Sequence, residues 1–228
     1  MRAFRIIAVC VLSALLSGFA TLNPPVLADD DLDLRIIHMR EGQVVLEVVG
    51  EVINSGTPVP LGSSNQFGYV SFLKGVDAIF SGSPANETTA RITFFTEVTT
   101  TRVTSHGPFS IVLREGTTTL YLNSPPADFG TPDSFRSGTP IQVSTMRQQV
   151  IVDTLEKTFT VVNLNTITSA SQFLLDDETL QIGAPREAFR TSLQGVLFVR
   201  GGGTPPPTGH FAGYAVGVEK HHRDSGSE

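Results

Sequence analysis

The chain reads as an all-β protein, a single antiparallel β-barrel, with a β-sandwich as the alternative. Three observations predict this. Short runs rich in Val, Ile, Thr and Phe alternate apolar with polar residues along the chain. Clusters of Gly, Pro, Asn and Asp punctuate them as turns do. No stretch after the N-terminal segment shows the periodicity of an amphipathic helix. The pattern gives roughly nine to eleven strands. A barrel is favoured because the last run, FAGYAVGV, is apolar and rich in glycine, which suits pairing on both edges and tight curvature.

The N-terminal segment has the three-part layout of a secretory signal peptide. Arg2 and Arg5 make a short basic start, and residues 6–16 are apolar but for Ser13. Gly18-Phe19-Ala20 and Val26-Leu27-Ala28 each place small or permissive residues where a signal peptidase reads them. Cleavage is expected after Ala28, where Asp29-Asp30-Asp31 begins, with Ala20 as the second site. The apolar part is shorter than the roughly 18 residues of a spanning helix, and no later stretch reaches that length. The expected organisation is a signal at 1–28, a leader at 29–40, the antiparallel β domain at 41–218 and a disordered polar tail at 219–228. Such a chain is expected to be exported, to a periplasm or outside the cell.

Charge and cysteine content remove several classes of function. The formal charge is −6, and loss of Arg2 and Arg5 with the signal makes it more negative still. Phosphate backbones need a basic face, so no nucleic-acid partner is expected. Cys10 is the only cysteine and lies in the signal. The cleaved chain would carry no disulfide, thiolate nucleophile or cysteine metal site. An exported chain without disulfides reads as bacterial, and it must be held together by its core.

Taken in order, residues 43–53 alternate Val44, Leu46, Val48 and Val52 with Val45, Glu47, Val49 and Glu51, and Gly50 marks a bulge or bend. Residues 67–73 and 78–80 are the next strands. Residues 90–104 form the longest run, apolar from Ile92 to Val98 and wetter from Thr99 onward. Residues 109–114 follow the break at His106-Gly107-Pro108. Glu115-Gly116 reads as a hairpin turn leading to Leu120, Tyr121 and Leu122. The stretch 123–140 is rich in Pro, Gly, Ser and Asp and carries Phe129 and Phe135. Loops of this length in compact domains are often lids or binding loops. Hairpins are expected around Glu156-Lys157 and Asp176-Asp177-Glu178. Residues 189–199 and 211–218 are the last strands, joined by a Gly- and Pro-rich connector.

No chemical motif emerges. The histidines lack the spacing that places two imidazoles on one metal, so no metal and no cofactor is expected. There is no G-x-S-x-G elbow, and no catalytic residue is assigned. Asp176-Asp177-Glu178 lacks calcium-loop spacing and reads as a solvated turn. The strand acids Glu47 and Glu51 belong on an outer face, and the chain has no tryptophan on which a sugar could stack. A site is expected at the margins of 90–122, and the candidate ligand-binding residues are Arg102, His106, Tyr121, Phe129, Phe135 and His210. The leading expectation is non-catalytic binding of a small apolar ligand or a partner protein. The alternatives are a cyclase or isomerase working in a barrel cavity, and a structural surface-interaction domain.

Overall fold

Alternation at a period of two, with β-branched residues at the alternating sites, commits each segment to a strand with one buried face. The computed structural model describes residues 33–55, 62–123, 126–198 and 208–218. Its strands are β1 (Arg35–Ile37), β2 (Val44–Ser55), β3 (Ser63–Leu73), β4 (Ile92–His106), β5 (Phe109–Leu122), β6 (Thr139–Asp153), β7 (Thr158–Ala170), β8 (Phe173–Leu175), β9 (Glu178–Ile182), β10 (Ala188–Phe198) and β11 (Thr208–Val218). The expected signal, the start of the leader, residues 201–207 of the expected connector at 201–209 and the tail lie outside the described residues.

The β-barrel is closed, in the order β10-β11-β2-β3-β4-β5-β6-β7. Neighbours from β2 to β7 pair antiparallel, β10 pairs with β7 and β11, and β11 returns to β2. Closure leaves the barrel no unpaired sheet edge. The barrel has eight strands. The other three, β1, β8 and β9, form a small separate sheet in the order β1-β9-β8. β1 lies in the stretch read as leader and pairs parallel with β9.

Two local expectations are corrected. Glu115-Gly116 is not a turn: β5 runs through it unbroken, with Gly116 opposite Val98 on β4 and Met146 on β6. The chain reverses instead at Gly107, whose φ of 57° is the left-handed conformation that glycine tolerates. Residues 78–80 contribute only the isolated bridge between Phe80 and Ala90.

Register settles which side chains fill the lumen. Val48, Val52, Gln66, Val70, Phe94, Thr96, Thr118, Leu120, Gln148, Val150, Phe159, Val161, Asn163, Leu193 and Phe211 fall on inward positions of paired strands. Eight strands leave an interior that side chains can nearly fill. Glycines at the pairs Gly50–Gly68 and Gly195–Phe211 let the strands curve around bulky rings. One end of the barrel is plugged. Ile37 of β1, Leu175 of β8 and Leu180 and Ile182 of β9 are buried in the same cluster as Leu46, Phe94 and Ile167 of the barrel. The Gln142 amide inside the barrel donates to the Ile182 carbonyl at 2.8 Å, tying plug to lumen.

A second core lies outside the barrel wall. Phe67, Tyr69 and Phe95 point outward from β3 and β4 and pack with Ala127, Phe129 and Phe135. The long 123–140 segment is thus ordered at its centre, where Pro132–Arg136 forms a 3-10 turn. Phe135 is fully buried there, 5.4 Å from the Phe67 ring and 4.8 Å from Phe129.

Candidate functional site

The lumen changes character along its axis. Next to the plug it is mostly apolar. At mid-height it carries a polar layer made of alternate residues on β3, β6 and β7. Gln66 and Gln148 exchange amide hydrogen bonds of 3.0 and 3.3 Å, and Gln148 also donates to Asn163 Oδ1 at 3.0 Å. Thr96 and Thr118 share a hydroxyl bond of 2.7 Å, and Asn165 donates to Thr191 at 3.1 Å. Buried polar groups are tolerated because they satisfy one another. Two buried hydroxyls do not join: Ser64 and Ser144 have no hydrogen-bond partner among the described residues.

Arg114 stands above this layer, toward the end opposite the plug. It shares an inward face of β5 with Gly116 and Thr118, and the irregularity in register at Thr100/Arg102 on β4 lies beside it. Its Nη2 donates to Asn54 Oδ1 at 2.8 Å, its Nε to Thr100 Oγ1 at 3.4 Å and its Nη1 to Gln148 Oε1 at 3.4 Å. All three acceptors are neutral. Loss of solvent around the guanidinium, with no described carboxylate to offset it, pushes its pKa down to about 10, so it remains a cation at neutral pH. Among the described barrel strands, no other inward position carries an ionisable side chain.

Two voids flank the polar layer. One of about 50 Å³ lies toward the plug, among Leu46, Phe94, Asn163, Asn165, Phe189 and Thr191. The other, of about 40 Å³, lies between Arg114, Asn54 and Gln66 on one side and Val52, Val150, Val152, Phe159, Val161, Leu197 and Phe211 on the other. Val152 and Leu197 are only half-buried, so among the described residues nothing closes this void from solvent. A cation, hydrogen-bonding amides and an apolar wall meet at this end of the lumen.

The residues expected from sequence fall elsewhere. Tyr121, Phe129 and Phe135 come together, but in the cluster on the outer wall. Residues 126–140 therefore buttress β3 and β4 from outside. Arg136 reinforces it, with its guanidinium 4.5 Å above the Phe95 ring and an ion pair of 2.8 Å to Asp133. Arg102 and His106 are exposed near the tip of the β4–β5 hairpin. His210 lies on the outer face of β11, stacked on Phe198 at 4.2 Å with Nδ1 3.3 Å from buried Glu51. Among the described residues no group of three or more His, Cys, Asp or Glu could hold a metal ion, and no helix is long and apolar enough to cross a membrane.

Alternation alone reads Arg114 and the glutamines as a solvent face, which hides them from a reading of the sequence. The signal that finds them is parity: Arg114 shares its face with Val112, Thr118 and Leu120, which line the lumen. Comparisons with protein-family models, curated proteins and solved structures return no match. The class that fold and site define is an eight-stranded antiparallel β-barrel plugged at one end, with a single inward cation among its described residues near the other.

Proposed function

We propose that the protein is an exported barrel that holds the apolar body of a small molecule in the end of its lumen away from the plug. One observation carries this reading: the lumen is asymmetric. One end is sealed by Ile37, Leu180 and Ile182, while the other keeps a void walled by Val52, Val150, Val161 and Phe211 that no described residue closes from solvent at Val152 and Leu197. Apolar surface facing such a void lacks packing partners, and a ligand supplies them. A catalytic reading draws less support, because acid–base chemistry needs titrating groups and only Arg114 faces inward among the described positions. A partner-protein reading draws on the outer face of β6 and β7, where Ile151, Val162 and Leu164 are exposed.

The test is calorimetric titration of the full chain with octanol, alongside native mass spectrometry of protein taken from its own host. Octanol should bind the wild type, and Val152→Trp, which fills the rim of the void, should weaken it by about tenfold. Absence of octanol binding together with absence of any retained small molecule would overturn the reading.

A further inference from the structure

The geometry points to an anion site at Arg114: the lumen end away from the plug takes the carboxylate head of an organic monoacid, whose apolar body occupies the adjoining void. This rests on the small-molecule reading above and names the chemical class of the molecule.

The first support is the hydrogen-bond inventory of Arg114. A guanidinium presents five N–H donors. Three are engaged, by Asn54, Thr100 and Gln148, and two of those bonds reach 3.4 Å, the weak limit. The remaining two N–H groups, one on each Nη, have no acceptor among the described residues. No described carboxylate lies within ion-pair distance of Arg114. Arg114 is half-buried, so its two free N–H groups face the void or water, and a bidentate carboxylate is the partner its fork fits best.

The second support is independent of Arg114. The Ser64 hydroxyl is fully buried and lacks a partner among the described residues. Its residue sits opposite Asn54 on β2 and Val98 on β4, and Val98 sits opposite Gly116, two residues from Arg114 on the same face of β5. An unsatisfied donor and an uncompensated cation thus occupy adjacent layers of one lumen. Ser64 does not itself line the void, but its open hydroxyl marks the wall next to Asn54 as a place where polar groups lack a partner.

The third support selects the kind of anion. Arg147, the next cation along the wall, pairs with Glu115 on the outer surface. With one inward cation, the site balances one negative charge, which favours a carboxylate over a phosphate dianion. The void of about 40 Å³ has room for a small head group, since about 10–15 Å³ of such space holds one water. Its far wall is Val150, Phe159, Val161 and Phe211, so the rest of the molecule must be apolar and must extend past half-buried Val152 and Leu197.

Calorimetric titration of the full chain with octanoate, octanol and inorganic phosphate tests this. The wild type should bind octanoate at least about tenfold more tightly than octanol, the scale of a charge-assisted contact, and should bind phosphate weakly. Arg114→Gln should remove the preference for octanoate over octanol, read as the ratio of the two affinities in the same variant, and Arg114→Lys should retain part of it. The wild-type comparison needs no variant, so it stands even where Arg114→Gln fails to fold. Equal binding of octanoate and octanol would overturn the anion site and leave the small-molecule reading intact. Phosphate binding as tight as octanoate would overturn the monoacid class. Failure of both octanol and octanoate to bind would overturn the anion site, and would take the small-molecule reading with it only where native mass spectrometry also finds no retained molecule.

Discussion

At Gly116 a methyl group would meet the Glu97 carbonyl oxygen at 2.0 Å and the Val98 Cα at 2.8 Å. That contact is the physical reason for glycine in the middle of β5. The same residue reads as a turn in the sequence, because glycine beside glutamate between alternating runs is a hairpin signal. Sequence alone does not separate the two uses of glycine, positive φ and close approach of strands. Gly116→Ala should therefore destabilise the fold by about 1–3 kcal/mol, as overpacked sites do. At Gly107, φ is positive but nothing lies within 4 Å of the position a methyl group would take. Gly107→Ala acts only through backbone strain there and should cost about 1 kcal/mol. Urea unfolding of the two variants measures the difference, and a larger loss at Gly107 would contradict overpacking as the reason for Gly116. Arg114 and Gln148 are illegible in the sequence for a related reason. The rule that polar residues face water fails in the middle of a barrel whose lumen holds its own hydrogen-bond network.

Among the elements, strands are easier to read than their ends. The apolar half of β4 and its wet extension are visible in the change from Ile92, Phe94 and Val98 to a run of threonines, and residues from Thr101 to His106 are exposed. The hairpin of β8 and β9 around Asp176-Asp177 is visible too. Its role as part of a plug is not, since nothing local says which sheet a short hairpin joins. The 123–140 segment shows the same limit. Its phenylalanines announce that it packs, but not against which side of the wall. The Phe135 ring is fully buried, and its backbone carbonyl accepts a 2.8 Å hydrogen bond from the Thr93 hydroxyl. Phe135→Ala should destabilise the protein by about 3 kcal/mol, at the lower range for a phenylalanine because the surface segment can partly collapse into the space. Octanol binding should persist, since the ring lies outside the lumen. Loss of binding in a folded Phe135→Ala variant, read by calorimetry with circular dichroism as the control, would restore the segment as a lid.

Over the whole molecule, closure of the barrel and sealing of one end are separate tasks. Closure is carried by register and is legible as many short alternating strands ending in a glycine-rich one. Sealing depends on contacts between residues far apart in the chain, and Glu187 is central to it. Its carboxylate accepts from the Met39 amide at 2.9 Å and pairs with His38 Nδ1 at 2.6 Å, fastening the segment after β1 to the start of β10. Burial by itself would raise the pKa of Glu187, but the Met39 amide, His38 and the Ala184 backbone outweigh it and hold the carboxyl below its usual value. The sign of the linkage follows. A carboxyl with a lower pKa in the folded state stabilises that state fully above the unfolded value, about 4.3, and this stability is lost as pH falls through the folded value. Glu187→Gln should lower the melting temperature at neutral pH and should flatten its decline across the acid range relative to wild type. Because the staple closes the plug and not the lumen end that holds Arg114, hydrogen exchange at pH 7 should rise first in β1 and β9 of the variant while β5 and β6 stay protected. Uniform loss of protection around the barrel would mean that plug and barrel unfold as one unit, and the division of labour between them would fail.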